Sequence, residues 1–545
     1  MPTGNRNDRA MTKEILNMKK RMLASILCGM MLLSGCQTTD GTSMAEFATA
    51  GDRETTVHPA STLSGEDLRG NPDESAAVGI ELKGGSVSCE SDAVSIDGTR
   101  ITLLDGGTYL VTGTLDDGQI VVNADETDRV EIILSGVDIT SSDSAAIYSL
   151  NADQVLVTLA EGTENALTNG GAYATIDENN IDGVIFSKTD LTLSGSGSLS
   201  IDAPAGHGVV SKDDLTVTGG NYTVTSAEHG FEGKDRLEIS GGTFQITSGK
   251  DGLHAENTED PTKSELYIKD GAYSISAQGD AISAGGALRV DGGAFDLTTG
   301  EGSASVTMAT EDMFAPGGQG GAWADQPGGP SPWNTGEESS AEAEYSETET
   351  SASQKGMKSD GTLEIHGGVF TVDSADDCIH SAGGLTIADG DFTLSSGDDA
   401  LHSDGAVVIQ NGTFSIPYCY EGIEGLSICV YGGDFQITAH DDGFNAAGGT
   451  DSSGFGGRGE QLVAVYDAFI EINGGDITVT SQGDCIDSNG DLSINGGVLD
   501  LTCNGAGNTA LDCSGGYTNN GGDVTTNDNS EADPSGMGGG RPMGW

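Results

Sequence analysis

A phrase that returns after 22 residues most constrains how this chain can fold. The run from Asp376 to Leu401, DDCIHSAGGLTIADGDFTLSSGDDAL, opens on DDCI and closes on DDAL. Periods of about 20 to 50 residues are typical of stacked repeat proteins, in which each repeat contacts its neighbours. Six stretches align without gaps at this period: 205–226, 227–248, 278–299, 375–396, 397–418 and 482–503. The period therefore predicts one continuous array of coils.

Each coil carries three short apolar groups. In 227–248 these are Phe231, then Leu237 with Ile239, then Phe244 with Ile246. Alternating residues of a strand face opposite sides, so three such groups describe a triangular coil whose neighbours stack about 4.8 Å apart. The 85 glycines and few helix-forming runs also favour short strands and tight turns. We predict an all-β fold, a right-handed parallel β-helix with coils of about 22 residues.

The third apolar group of each coil begins with an aromatic residue. Such rings could form a platform for sugars, but each shares its parity with an aliphatic residue two positions later, which favours an interior stack. The rings are Tyr222, Phe244, Tyr273, Phe295, Phe370, Phe392, Phe414 and Phe435.

The first 75 residues lack the coil pattern. Residues 1–35 are predicted to be a signal peptide, with 1–17 an upstream start, because Lys19, Lys20 and Arg21 precede a short apolar run. The run ends in Leu33-Ser34-Gly35-Cys36, which resembles a bacterial lipobox and predicts a lipid on Cys36; a plain secretory signal is the alternative. Residues 36–75 are polar and are predicted to be a flexible tether.

The array is predicted to occupy residues 76–522. It is interrupted by 300–354, which is rich in Gly, Pro, Ser and Glu and is predicted to be a disordered insertion. Residues 523–545 are predicted to be a Gly-rich tail. We expect a monomer in the cell envelope, lipid-anchored and extracytoplasmic.

The net charge of −62 excludes one class of partner. Binding a phosphate backbone needs clustered Lys and Arg, so nucleic acid is not an expected partner. A surface of this charge attracts cations, which could in turn bridge it to a polyanion. Seven cysteines follow Cys36, an odd number, so at least one is free or pairs outside the chain.

An acidic ladder is the main candidate for chemistry. An acid opens coil after coil, and in-register stacking would bring equivalent carboxylates within about 5 Å of each other. Charges this close repel unless they are protonated or bridged, and calcium takes about six to eight oxygen ligands. The alternative is that these acids form turns and stay solvated. The ladder acids are Asp251, Asp280, Asp377, Asp399, Glu421, Asp442 and Asp484, doubled by Asp376, Asp398 and Asp441.

Polar residues also lie three positions after the ladder acids. His380 and His402 are expected to stack along a solvated edge and to buffer it. Glu424 could share a ligand with Glu421 only if the chain bends at Gly422, because an odd spacing places residues on opposite faces of a strand.

A second ladder is basic and consists of Lys188, Lys212 and Lys234. These lysines could hold uronate carboxylates, or they could compensate the acids beside them in the turns. No Lys or Arg lies between Asp376 and Asp442, so a lyase would lack an identifiable catalytic base there.

Five phrases resemble a known family: HGVVSKDDLTVTGG, KDGLHAEN, DDALHSDGAVVIQNGTF, YEGIEGLSICVYGGDFQITAHDDGFNAAGG and QGDCIDSNGDLSINGG. They are similar to the carbohydrate-binding β-helix family typified by a clostridial polysaccharide-lyase-like protein, from about Ala76 to Asn520. The resemblance implies a pectate-lyase-like fold, calcium as the bound ion, and binding of cellulose and polygalacturonate without established cleavage. The acids that match, and are therefore predicted metal ligands, are Asp376, Asp377, Asp398, Asp399, Glu421, Glu424, Asp441 and Asp442.

Three functions follow as hypotheses. The first is a surface lipoprotein that binds a polysaccharide, pectin-like or cellulosic, through a calcium-containing β-helix. The second is a calcium-dependent uronate lyase. The third is a structural adhesin or matrix lipoprotein, which would bind proteins instead of glycans.

Overall fold

The computed structural model describes residues 74–174, 179–260, 262–308, 353–446, 468–532 and Pro534. All of them belong to one compact unit, Val57–Trp545. The predicted signal peptide with Cys36 lies outside the described residues, as do the tether up to residue 73 and most of the insertion, 309–352. No helix in the described part of the chain has the length and apolar character needed to cross a bilayer.

The described strands form three parallel sheets, and each coil contributes one strand to each sheet. Tyr222 pairs with Phe244, and Phe370 with Phe392, so the register advances by 22 residues, as the sequence predicted. The prediction of an all-β parallel β-helix is therefore confirmed. Two antiparallel pairs precede the regular coils: Val78–Gly84 with Val87–Ser88, and Val94–Asp97 with Arg100–Leu103.

The first sheet carries the opening strand of each coil. Two of its strands, Leu401–Ile409 and Ile423–Val430, continue into the second sheet. Its members are Arg100–Leu103, Gln119–Asn123, Ile147–Asn151, Gly183–Ser187, His207–Ser211, Phe231–Gly233, Leu253–Ala255, Ile282–Ala284, Met357–Ser359, Ile379–Ser381, Leu401–Ile409, Ile423–Val430, Phe444–Ala446, Ile486–Ser488 and Leu511–Cys513.

The second sheet follows a turn of two to six residues in most coils. Its members, besides the two shared strands, are Arg129–Ser141, Gln154–Leu159, Asp190–Gly195, Asp214–Val217, Arg236–Ile239, Glu265–Ile268, Leu288–Val290, Leu363–Ile365, Leu385–Ile387, Phe469–Ile472, Asp491–Ile494 and Tyr517–Asn519.

The third sheet contains the aromatic positions. Its members are Val78–Gly84, Gly107–Leu115, Arg129–Ser141, Glu164–Asn169, Ser198–Ala203, Asn221–Ser226, Thr243–Ser248, Ala272–Ala277, Ala294–Thr299, Val369–Ser374, Asp391–Ser396, Thr413–Cys419, Asp434–Ala439, Asp476–Ser481, Val498–Cys503 and Asp523–Thr526. Short 3₁₀ helices lie at Glu74–Ala76, Ser303–Ser305 and Ser530–Ala532.

The aromatic residues form an interior stack, which confirms that interpretation over a sugar platform. From Phe244 to Phe435 successive ring centroids are 4.6–4.9 Å apart, and the planes are within 5° of parallel. The rings are at most 3% exposed. The glycine before each ring turns the chain into the third sheet: Gly390, for example, has φ of 147°, and a Cβ there would lie 2.8 Å from the Phe392 ring.

The coils continue past residue 522, where the sequence predicted a Gly-rich tail. Asp523–Thr526 pairs with Val498–Cys503, and Val524 packs against the core. Residues beyond this strand cover the edge of the last coil, because Asp528 Oδ2 accepts the N–H of Ala510 and Ser530 Oγ accepts that of Leu511. The coil pattern is weak here because Val524 is the one apolar residue of the strand.

Candidate functional site

The predicted acidic ladder lies at the turn from the third sheet into the first. A serine three residues before the ladder residue closes this turn. Ser374 Oγ donates to the carbonyl of Asp377 at 2.9 Å, and Ser396 Oγ donates to the carbonyl of Asp399 at 2.8 Å. Both serines are fully buried. The Ser-x-Asp-Asp order therefore positions one carboxylate at the same place in successive coils.

One oxygen of each ladder carboxylate has a structural role. Asp377 Oδ1 accepts the backbone N–H of Asp399 at 3.1 Å, and Asp399 Oδ1 accepts that of Glu421 at 3.2 Å. Asp251 and Asp442 accept the N–H of the next ladder residue in the same way, at 2.8 and 2.6 Å. The turn-forming interpretation is thus correct for this oxygen, but Asp377 and Asp399 are at most 1% exposed and are not solvated.

The other carboxylate oxygen faces the residue three positions later. Asp377 Oδ2 lies 3.0 Å from His380 Nδ1, and Asp399 Oδ2 lies 2.9 Å from His402 Nδ1. The two imidazole rings stack, with centroids 4.9 Å apart. They are 6% and 1% exposed, so the expectation of a solvated, buffering edge was wrong. The chain bends directly after the acid, which brings the odd-spaced pair together on one side.

Lys355 is a functional residue that the sequence reasoning missed. Its ammonium lies 2.8 Å from Asp376 Oδ1 and 2.7 Å from Asp377 Oδ2, and its side chain is 9% exposed. Burial opposes charge on both partners, but their mutual attraction lowers the pKa of Asp377 and raises that of Lys355. Lys355 stands 22 residues before Asp377, at the ladder position of its own coil. Its cation occupies the place that the sequence assigned to calcium at Asp376 and Asp377.

His402 supplies a second internal positive charge. Its Nδ1 also lies 3.1 Å from Glu424 Oε2, and its Nε2 lies 3.5 Å from Asp404 Oδ1. Burial disfavours the imidazolium, but these three carboxylates outweigh it and raise the pKa of His402. The carboxylates of Asp399 and Glu424 therefore share the positive charge of one protonated imidazole, that of His402.

The next coils have no comparable charges. Lys358 is the last lysine of the sequence, and only Arg458 and Arg541, both outside the described residues, follow it. Glu421 is 7% exposed, and burial, with the charges of Glu424 and Asp399, raises its pKa. Burial and Asp441 raise the pKa of Asp442 in the same way. We call Glu421, Glu424, Asp442, Asn445, Asp484 and Asp487 the uncompensated segment, because none of them pairs with a Lys or Arg in the described residues; Glu424 alone borders a cation, the His402 imidazolium.

One oxygen atom in this segment, Asn445 Oδ1, is buried and accepts no hydrogen bond, whereas Glu424 Oε2 makes no well-aligned hydrogen bond but lies 3.1 Å from His402 Nδ1. Asn445 Nδ2 donates to Glu421 Oε2 at 2.9 Å, which fixes the amide with its oxygen turned the other way. A buried acceptor without a donor is costly, and a cation would satisfy it. Carboxylate and amide oxygens are the ligands that calcium prefers, so the residues present fit the predicted ion.

The acids that directly precede the ladder residues also differ in their partners. Asp376 is bound by Lys355. Asp441, its equivalent further along the ladder, accepts the hydroxyl hydrogen of Tyr420. Asp398 is half-buried, and its carbonyl accepts the N–H of Tyr420 at 2.6 Å.

Two histidines, His207 and His229, continue the ladder towards the N-terminus, and His254, three residues after Asp251, stacks on them. His207, His229 and His254 stack, with centroids 5.1 and 4.1 Å apart. The Nδ1 atoms of His207 and His229 accept the N–H groups of the next coil, at 3.2 and 3.1 Å. These two rings thus act as the ladder acids do. Their Nδ1 lone pairs are already used, which makes them poor metal ligands.

An open cleft of about 360 Å³ adjoins this part of the ladder. Its walls include Lys250, Asp251, His254, Asp280 and Lys358. Burial and the charge of Asp251 raise the pKa of Asp280 to about 6. Charged donors and acceptors that open to solvent suit a hydroxylated or charged ligand.

The basic ladder is mostly paired. Lys212 Nζ lies 2.9 Å from Glu232 Oε1, and Lys234 Nζ lies 2.8 Å from Glu259 Oε2. Lys188 is exposed. Ser187, Ser211 and Gly233 are in register, so the three lysines that follow them are neighbours on successive coils, as predicted.

The seven described cysteines are all free, and five of them are buried: Cys378, Cys419, Cys485, Cys503 and Cys513. The odd number of cysteines required at least one free thiol, and the structure leaves all seven described thiols unpaired. Burial raises the pKa of Cys485 to about 12, so its thiol is protonated and inert.

Comparison with known proteins identifies the family of this chain. A family model described as carbohydrate-binding domain-containing protein matches residues 97–400 and 398–541, which is more than half of the chain. The chain belongs to this family. A curated relative from Acetivibrio thermocellus, also described as a carbohydrate-binding domain-containing protein, is 36% identical over 135 residues. That match covers 24% of this chain and 47% of the relative, so the chain spans about half the relative's length.

A solved structure with a related description was also found. It is the polysaccharide lyase-like protein from C. thermocellum, a gadolinium derivative, with 26% identity. The match covers 57% of this chain and 97% of that chain, with a TM-score of 0.39. The strand pairing itself, and not this superposition, establishes the β-helix described above.

Proposed function

We propose that this member of the carbohydrate-binding family binds an acidic polysaccharide through calcium held at the uncompensated segment. The carrying observation is a group of buried and half-buried carboxylates without a neighbouring Lys or Arg in the described residues, together with the orphan oxygen of Asn445. Glu421, Glu424, Asp442 and Asn445 would hold the ion. Calcium supplies positive charge that can also bind a uronate carboxylate.

Membership of the carbohydrate-binding family supports a glycan as the partner. The charge of −62 makes a cation necessary if that glycan is anionic, because direct contact would be repulsive. Cellulose carries no charge, so its binding would not need the ion.

A binding experiment with the full mature chain tests this function. Retention on polygalacturonate and on cellulose is measured in calcium and in excess chelator. We expect polygalacturonate to be retained only with calcium. Calorimetric titration that shows no calcium uptake, or equal retention in chelator, would contradict the proposal. Protein partners without glycan retention would favour the adhesin.

The same assay separates binding from cleavage. A uronate lyase releases unsaturated products that absorb in the near ultraviolet, and it needs a base to remove a proton. Lys355 is the nearest amine to the ladder acids, but its ion pairs keep it protonated and bury it. We therefore expect no rise in absorbance when polygalacturonate is incubated with the protein and calcium.

The lipid anchor on Cys36 is part of the same proposal, because the envelope location follows from it. The Leu33-Ser34-Gly35-Cys36 motif supports it. We expect a Cys36→Ser chain to leave the membrane fraction and to appear in the soluble extracytoplasmic fraction. Unchanged membrane association of that variant would refute the anchor.

A further inference from the structure

A β-bulge interrupts the third sheet directly before the uncompensated segment. The strand Thr413–Cys419 has seven residues, whereas its neighbours Asp391–Ser396 and Asp434–Ala439 have six. The register shifts on both sides: between Thr393 and Ser395 in the preceding coil, and between Ile416 and Cys419 against the following one. Bulges often occur next to functional sites, where they turn a side chain in a new direction.

Pro417 explains the bulge. Proline has no N–H to give to the ladder of hydrogen bonds, so within sheets it is confined to edges and bulges. The extra residue is offset by a turn that is one residue shorter, since Tyr420 N–H donates to the carbonyl of Asp398. Glu421 therefore keeps its place in the acidic ladder, and only the residues between Ile416 and Glu421 are displaced.

The displacement exposes Tyr418. Counted without gaps, Tyr418 would occupy the inward place of Ser396, which is fully buried. In the structure Cys419 takes that inward place and Tyr418 pairs with the outward Ser395. Its side chain is 39% exposed. A large aromatic ring has thus been moved from a core position to the surface.

The surroundings of Tyr418 leave its ring accessible. The outward positions before and after it in the third sheet are small and polar: Asp373, Ser395, Thr438, Thr480 and Thr502. Tyr418 is the one aromatic residue of this column. It stands three residues before Glu421, and Tyr420, between them, is buried and donates to Asp441.

We propose that Tyr418 is the stacking platform for a hexopyranose ring whose charged group is held at the uncompensated segment. The inference rests on the function proposed above and names a residue that selects the ligand. One face of a pyranose exposes C–H groups, which pack on the electron-rich face of an aromatic ring. Hydroxyl and carboxylate groups at the sugar's rim then reach the calcium and the acids. A linear polyanion without such an apolar face would gain nothing from Tyr418.

The test compares Tyr418→Ala with the wild type in two titrations of the full mature chain. The first is calcium alone, and the second is an oligogalacturonate at saturating calcium. We expect calcium affinity to stay within about twofold, and oligogalacturonate affinity to fall about tenfold or more. Tyr418→Trp should retain the sugar. Tyr431→Ala is the matched control, because Tyr431 is 53% exposed but follows a strand shared by the first and second sheets.

Further arms make the outcomes distinct. Polyacrylate, an anion without sugar rings, should bind wild type and Tyr418→Ala equally in calcium. Oligogalacturonate affinity of Tyr418→Ala within about twofold of wild type would overturn the stacking role while leaving the calcium site intact. A parallel loss of calcium affinity in Tyr418→Ala would also overturn it, as the ring would then be structural. A wild type that binds calcium but no glycan would overturn both proposals.

Discussion

The ladder has two segments that solve one electrostatic problem differently. From Asp251 to Asp399 several ladder carboxylates meet cations of the chain itself: Lys355 bridges Asp376 and Asp377, and His402 faces Asp399. Asp280 is the exception among them, because it accepts from the Ser353 hydroxyl and the Lys355 N–H. From Glu421 to Asp487 the carboxylates have no Lys or Arg partner in the described residues. Glu421 accepts from Asn445, Asp441 from Tyr420 and Asp484 from Thr509, and Glu424 alone lies beside an imidazole, that of His402. The same backbone hydrogen bond occurs in both segments, at Asp377 in the first and at Asp442 in the second.

The two oxygens of a ladder carboxylate therefore have different roles: one supports the stacking of coils, and the other is where the two segments differ. A carboxylate oxygen that accepts the N–H of the next coil is needed for stacking in either segment. The remaining oxygen has a cationic partner at Asp377 and Asp399 in the first segment, and under the proposed function the second segment offers it to the ion. A protein that required only stacking would gain nothing from burying unpaired acids, because burying a charge without a partner is costly.

Removing Lys355 should have the largest effect. Lys355→Met leaves Asp377, which is 1% exposed, buried without its cation, and losing one partner of a buried pair costs about 3–5 kcal/mol. We expect the free energy of unfolding to fall by that amount in urea denaturation without calcium. Lys358→Met is the matched control, because Lys358 is more exposed and lies 3.4 Å from Asp360, so about 1 kcal/mol or less is expected. Equal stability of Lys355→Met and wild type would show that the two segments do not differ.

Acidity should act on the second segment, and on Asp280 of the first, in the calcium-free protein. Burial, with Asp484 and Asp512, raises the pKa of Asp487 to about 7, and burial raises that of Asp484 to about 6, from an ordinary 3.8. Between about pH 4 and 7 the folded chain then binds more protons than the unfolded chain, so stability falls as pH rises, by about 2–4 kcal/mol.

Denaturation series with and without calcium check this sign. Saturating calcium favours the ionised carboxylates and should flatten the fall. Asp487→Asn should flatten it without calcium, because the amide does not titrate. Stability of the calcium-free protein that rises from pH 4.5 to 7 would mean that these acids have internal partners after all.

Matched substitutions of the doubled acids sharpen the comparison. Asp376 and Asp441 occupy equivalent positions, but Asp376 is bound by Lys355 and Asp441 belongs to the segment without cations. We expect Asp441→Asn to weaken calcium binding about tenfold, which is about 1.4 kcal/mol, and Asp376→Asn to change it less than twofold. Calorimetry of both variants measures this difference. A larger loss of calcium affinity in Asp376→Asn than in Asp441→Asn would indicate that the ion binds at the first segment.

The sequence predicted the fold well because one period controls it. The 22-residue repeat and the parity of the aromatic residues were enough to predict parallel coils and the stack from Phe244 to Phe435. Those properties depend on alternation and spacing, which are visible in a single sequence. Seven of the eight predicted metal ligands lie on the same turn, and Glu424 lies in the strand Ile423–Val430 that follows it, although the partners of their oxygens were not visible in the sequence.

Two residues show why the site was harder to predict. Lys355 was overlooked because it directly follows the insertion, although KGMKS occupies the register of DCIHS one coil later. Aligning those two phrases would have shown a lysine on the ladder. Tyr418 was not singled out in the sequence; gap-free spacing would place it inward, and only the bulge at Pro417 reverses that. The positions of Lys355 and Tyr418 depend on where the repeat resumes after the insertion and where a bulge shifts its register. A period counted without gaps does not show either point.

The lysine ladder should give the smallest effects. Lys212 and Lys234 are already paired with Glu232 and Glu259, so their charges are unavailable to a uronate, and exposed pairs contribute about 0–1 kcal/mol. Retention of Lys212→Gln or Lys234→Gln on polygalacturonate in calcium should match wild type within about twofold, by affinity electrophoresis. Lys188→Gln, which removes an exposed charge, should weaken retention slightly more. Loss of retention in Lys188→Gln alone would place the sugar at the basic ladder and not at the uncompensated segment. The acids from Glu421 to Asp487 would then need another explanation, since their burial would no longer serve a ligand.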